Sequence, residues 1–196
     1  MIDIMDKSLS FREYYEKNLV IESPHFSGIY MPQEMDYWPS NKEWTKDTLK
    51  ITKEIDKFTY FDLVVYVYYR NTVNTECYHF VDHNKEYMKA EYFCKANKYG
   101  MVCVRMWKWR DTILKMNWLI LNYFLPKQKW IFSDIDLTDK GIQFWQNFIK
   151  ENINNKKYEF GIYNILKDKL VKYEDYNNFD GIWENYANTQ VWIKEK

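Results

Sequence analysis

The chain has 196 residues, 46% of them hydrophobic, and its 28 Lys and Arg are matched by 28 Asp and Glu. That length suits a single domain (1–196) with a sizeable core, and the hydrophobic share excludes the signature of disorder. Zero net charge removes the bulk attraction to phosphate backbones, so nucleic acid is not an expected partner.

In chain order, residues 1–6 carry early acids and no apolar core, so neither a signal nor a transit sequence is expected and the protein is assigned to the cytoplasm. Ser10 with Glu13 three residues on forms a capping box, which predicts a short helix. Region 19–57 is expected to be irregular or lid-like with short helices, because Pro24, Pro32 and Pro39 break it up and Trp38 and Trp44 stand among polar residues.

The run from Phe58 to Tyr69 is dense in β-branched and aromatic residues and predicts one central strand covered on both faces. Segments 76–82, 86–95 and 101–109, with turn chemistry between them, predict an antiparallel meander. The period then changes. Ile113, Leu114, Met116, Trp118, Leu119, Ile120, Leu121, Phe124 and Leu125 wrap nearly the whole circumference of a helix, so 112–125 is predicted as a buried helix ended by Pro126. Its longest apolar run, Trp118 to Leu125, is far short of the roughly 20 residues a bilayer requires, and no membrane association is expected.

Residues 130–133 predict a short strand, 138–152 a helix with Ile142, Trp145 and Ile149 on one face, and 157–163 an alternating strand. The polar, tyrosine-rich tail from 164 closes in a last strand at 190–194. The predicted class is α/β (α+β), a mixed, mostly antiparallel twisted sheet flanked by helices.

Cys77, Cys94 and Cys103 are odd in number and lack CxxC spacing, which argues against disulfides and a thiolate metal site. His79 and His83 are four apart, but 77–82 alternates like a strand. That pattern sends His79 and Val81 to one face and His83 into a turn, so no metal site is assigned. The lysines of 156–157 and 167–172 are expected to form solvated faces. Aromatic residues make up 20% of the chain, with 18 Tyr and 9 Trp. Two explanations stand side by side: an AT-rich genome that favours such codons, and an aromatic contact surface.

The element order resembles that of the GNAT acyltransferase fold. The passage Trp130-Ile-Phe-Ser-Asp-Ile-Asp-Leu-Thr-Asp-Lys-Gly-Ile-Gln-Phe-Trp145 is similar to the SD-x-x-LT-x-x-(G/A)-x-x-x-W passage of GNAT-like bacteriophage proteins, and 180–193 resembles their ending. The match covers roughly the last 90 residues. It makes 130–133 the fifth strand and 138–152 the fourth helix of that fold. It also implies a site for acetyl-CoA, whose pyrophosphate is held in the family by an Arg/Gln-x-x-Gly-x-Gly/Ala loop at the start of the buried helix.

The corresponding stretch, Met106-Trp-Lys-Trp-Arg-Asp-Thr112, contains no glycine. Trp107 and Trp109 would fill the space the loop leaves open, Asp111 would repel a phosphate, and Lys108 and Arg110 alone suit the cofactor in charge. No cofactor is therefore assigned. Trp107, Trp109 and Arg110 are candidate partner-binding residues, since Trp and Arg dominate binding hot spots, although tryptophans at strand ends also pack cores.

Two catalytic candidates are carried forward. Asp134, with Asp136, follows the fifth strand and could serve as a general base, or could cap the following helix. Tyr163 lies where the resemblance places the tyrosine that protonates a leaving thiolate. The leading expectation is a non-catalytic phage host-takeover or counter-defence protein that binds and disables a bacterial host or defence protein. The alternatives are an active acetyl-CoA-dependent N-acyltransferase acting on a host protein or small amine, and a structural or virion-associated protein.

Overall fold

A computed structural model describes residues 41–72, 75–108, 112–135, 137, 139–179, 181–183 and 188–196. The expected helix at Ser10 lies outside these residues, as does 19–40 of the expected lid. The remainder of that lid is regular. Helix α1 spans Asn41–Lys50, with Glu43 in its first turn and Lys50 in its last, each complementing the helix dipole. Trp44, Thr45 and Thr48 are buried, and the Thr45 hydroxyl accepts the Met88 amide at 2.6 Å. Strand β1, Lys53–Tyr60, follows at once.

The single strand expected over 58–69 is two. Strand β1 turns back at Phe61 and Asp62 into β2, Leu63–Asn71, and Tyr60 pairs with Leu63 across the turn. A two-residue hairpin needs positive φ, and Phe61 supplies it at 51° although it is not glycine. Its ring projects into solvent, 76% exposed. β1 borders the sheet. It alternates between exposed charges and partly covered residues, and its register shifts between Glu54 and Asp56. The meander then appears as expected, with β3 at Glu76–Asp82, β4 at Met88–Ala96 and β5 at Met101–Lys108.

The buried helix, α2, begins and ends later than the sequence suggests. Residues 112–115 are not helical: the Thr112 hydroxyl accepts the Leu114 amide, and Lys115 has extended angles. α2 then runs over 116–128 as Met116–Leu119, a π-helical Ile120–Phe124 and Leu125–Gln128. Pro126 does not end it. A proline inside an α-helix lacks an amide and collides with the carbonyl four residues back. The wider π turn immediately before Pro126 changes that register, and the Asn122 side-chain amide donates to the Trp118 carbonyl. The chain leaves α2 at Lys129, with φ at 62°.

Strand β6 covers Trp130–Ser133, helix α3 covers Asp139–Asn152, and β7 covers Tyr158–Asn164. Strand β8, Lys169–Tyr173, was not distinguished in the polar tail, and β9 closes the fold at Thr189–Glu195. The nine strands form one mixed sheet in the order β1-β2-β3-β4-β5-β6-β9-β7-β8. Only three residue pairs join β5 to β6, and they are parallel, whereas β9 runs antiparallel to both β6 and β7.

The described residues gather into two compact units, one drawn from 41–92 and 108–114, the other from 93–107 and 115–196. In the first, Val65, Val67 and Phe80 are fully buried, and the Phe80 ring meets those of Phe58 and Tyr92 edge-on. In the second, α3 packs Trp145, Phe148 and Ile149 inward, with the Phe148 ring 6.1 Å from Phe160 of β7. Glu159 bridges the strands on either side, accepting from Lys194 at 2.9 Å and Lys172 at 3.1 Å. Among the described residues no helix is long and apolar enough to cross a membrane.

Candidate functional site

Of the residues expected to meet a cofactor or partner, Trp109, Arg110 and Asp111 lie outside the described residues, and Trp107 is placed only as a residue of β5. Lys108 ends that strand. Its ammonium lies 3.5 Å from the Thr112 carbonyl and donates to the segment that leads toward α2.

The two catalytic candidates stand at the same end of the sheet. β6 and β7 flank β9 and run antiparallel to it, so both finish on the same side, with Asp134 just past β6 and Tyr163 near the end of β7. Asp136 is not among the described residues. Asp134 is half-buried, and its carboxylate accepts the Ile135 amide at 2.8 Å, a local bond that shapes the turn toward α3.

Between the two candidates, Gln190 extends the β6–β9 ladder through side chains. Its amide donates to the Ser133 carbonyl at 2.8 Å, while the Ser133 hydroxyl accepts the Val191 amide at 2.9 Å. Both bonds are buried. Ser133→Ala should therefore cost about 1–3 kcal/mol in urea unfolding, because it strands a buried amide.

Tyr163 does not stand free. Its hydroxyl donates to Asp168 at 2.9 Å, and Lys98 pairs with the same carboxylate. Lys98 also lies 4.9 Å above the Tyr99 ring and 6.0 Å from that of Tyr163. Lys98 first, then the Tyr163 hydroxyl, holds the Asp168 carboxyl below its ordinary range. Desolvation first, then Asp168, pushes the Tyr163 phenol up. Around it, Tyr99, Trp130, Phe132 and Trp192 fill one face of the sheet, with ring centroids 4.9–6.1 Å apart. Val102, Phe132, Tyr163 and Trp192 are all at most 8% exposed. This cluster is a packed core in which the phenol has a fixed acceptor.

The first unit holds a polar pair that sequence reasoning did not assemble. His79 of β3 and Glu91 of β4 are buried, with Nδ1 and Oε1 2.5 Å apart. Among the described residues the His79 Nε2 and Glu91 Oε2 atoms have no hydrogen-bond partner, nor has Arg70 Nε of β2. His79 lies opposite Tyr68, and Arg70 opposite Cys77 two residues away, so Arg70 and His79 share a face of the sheet. An imidazole held at one nitrogen by a carboxylate, with the other nitrogen free, is the arrangement that orients a general base or a ligand-binding histidine. The alternation of 77–82 gave His79 its face. Nothing local pointed to Glu91, twelve residues on. His83 follows β3 in an exposed turn, away from the strand that holds His79.

Comparison with models of protein families, with curated proteins and with solved structures finds no match to this chain.

Proposed function

We propose that this chain is a binding protein on an acyltransferase-like scaffold, acting without acyl transfer to engage and disable a bacterial protein during phage infection. The observation that carries this reading is the engagement of Tyr163. A tyrosine that protonates a leaving thiolate must offer its hydroxyl to an incoming group, whereas Tyr163, its ring packed in an aromatic cluster, gives it to the exposed carboxylate of Asp168. The glycine-free segment 106–112 adds to this, since bulky side chains stand where close backbone approach to a pyrophosphate needs glycine.

The scaffold half of the proposal draws on element order. In chain order a meander is followed by a buried helix, a strand, a helix and two further strands before the terminal one. The host-directed half rests on the likeness of 130–145 and 180–193 to phage proteins.

Acetyl-CoA tests the first half. A ligand at tenfold excess over its dissociation constant stabilises a protein by about 1.4 kcal/mol. The expected result is no saturable rise in melting temperature up to millimolar acetyl-CoA, and a clear rise overturns this reading. Affinity capture from bacteria expressing the tagged chain tests the second half. One host protein should be retained in stoichiometric amount, and capture of none rejects the host-binding role.

A further inference from the structure

The geometry points to a binding site for a small oxyanion, a carboxylate or a phosphate, formed by Arg70, His79 and Glu91 on one face of the β2–β3–β4 sheet. It does not depend on the acyltransferase-like reading.

Three observations carry it. First, His79 and Glu91 are 3% and 1% exposed, yet each keeps one polar atom without a hydrogen bond, and the buried Nε of Arg70 is a third. A buried polar atom left unsatisfied costs about 1–3 kcal/mol, and nine in ten or more such groups find a partner in folded proteins. Three on neighbouring strands imply an occupant.

Second, the nearby charges are already matched. On the same face Glu54 of β1, opposite Tyr68, accepts from the Tyr68 hydroxyl at 3.1 Å and from Lys85 at 2.8 Å, and Lys85 lies 4.6 Å over the Tyr66 ring. Among the described residues no carboxylate pairs with Arg70, so its guanidinium remains uncompensated.

Third, the free atoms define the ligand's chemistry. Arg70 Nε–H is a donor. With Nδ1 bonded to Glu91, a ring hydrogen on Nε2 of His79 offers a second donor. Oxygens of an anion accept from both, while a hydroxyl on the same ligand, as in a hydrogen phosphate or a hydroxy acid, can donate to Glu91 Oε2. The Arg70 guanidinium carries a positive charge throughout, which a bound anion neutralises. A water molecule could serve Nε2 or Oε2 but would leave that charge unmatched. Arg70 is only partly covered, so the ligand enters from its side.

The probes are sodium phosphate and sodium acetate, with sodium chloride as the ionic-strength control, added to the full chain at pH 6.5. His79 ring signals are followed by NMR, assigned by their loss in His79→Gln, alongside the melting temperature. Saturable shifts with phosphate or acetate but not chloride are expected. A response to phosphate alone assigns a phosphate ligand, and one to acetate alone a carboxylate. Arg70→Gln, at a partly exposed position, should keep the native circular dichroism and bind at least tenfold more weakly. Absence of a saturable response to either anion overturns the proposal, leaving ordered water as the occupant. So does equal binding by folded Arg70→Gln.

Discussion

Replacing Gly161 by alanine should lower the melting temperature by about 6–12 °C, or prevent folding. A β-carbon at this position of β7 would lie 2.0 Å from the Val171 carbonyl oxygen of β8 and 2.4–2.6 Å from the Trp192 indole. One obstacle is backbone in the adjoining strand. The other is a large ring pressed between Trp130 and the sheet, with centroids 4.9 Å apart. Neither can give way without separating β7 from β8 or expelling Trp192 from the aromatic face. Overpacking of a filled core costs about 1–3 kcal/mol and more where backbone must move. At about 2–4 °C per kcal/mol for a chain of this size, 3 kcal/mol gives the stated range. Calorimetry or thermal circular dichroism reads it directly, and a change below 2 °C would show that the strands can spread to admit a methyl group.

The buried His79–Glu91 pair should give the second large effect. Removing one member of a buried pair leaves its partner desolvated and uncompensated, at a cost of about 3–5 kcal/mol. His79→Leu and Glu91→Leu should each lose that much in urea unfolding at neutral pH. The double variant, with apolar volume on both strands, should lose much less than the sum, because neither residue is left alone with its polar group. A coupling of at least 2 kcal/mol in the double-mutant cycle is expected for residues in direct contact. Additive small losses would mean that water reaches the pair freely. Because both residues belong to the first unit, this cycle reports on that unit independently of any function assigned to the second.

Periodicity carried much of the fold. Alternation placed β3 and β7 to within a residue, and the spacing of Ile142, Trp145 and Ile149 placed α3. Three features escaped it, each because the deciding interaction was not a local pattern. The turn at Phe61 and Asp62 lies in a run that is otherwise almost wholly apolar and has neither glycine nor proline, so the reversal is plain only in the pairing of Tyr60 with Leu63. Pro126 reads as a stop until the π register ahead of it is known. β8 is short and lysine-rich, and it is a strand because β7 pairs with it. The candidate sites divide in the same way. The sequence located Tyr163 at the end of its strand but could not show that Asp168, brought round by a four-residue hairpin loop, would take up its hydroxyl. Glu91 likewise reads as one acid of a strand until β3 and β4 are laid side by side.

The borders of the sheet limit how this protein can meet another. Among the described residues its outermost strands are β1 and β8. The first carries Lys53, Glu54, Asp56 and Lys57 and an irregular register, and the second is five residues long with Lys169 and Lys172. Short, charged or kinked edges resist the addition of a further strand. Growth by strand addition, the route by which an open sheet turns into a fibril or borrows a segment from a neighbour, is therefore discouraged at both margins. A protein partner is left to be recognised through side chains, on the faces or at the apolar hairpin tips of Phe61 and Leu166, which are 76% and 77% exposed.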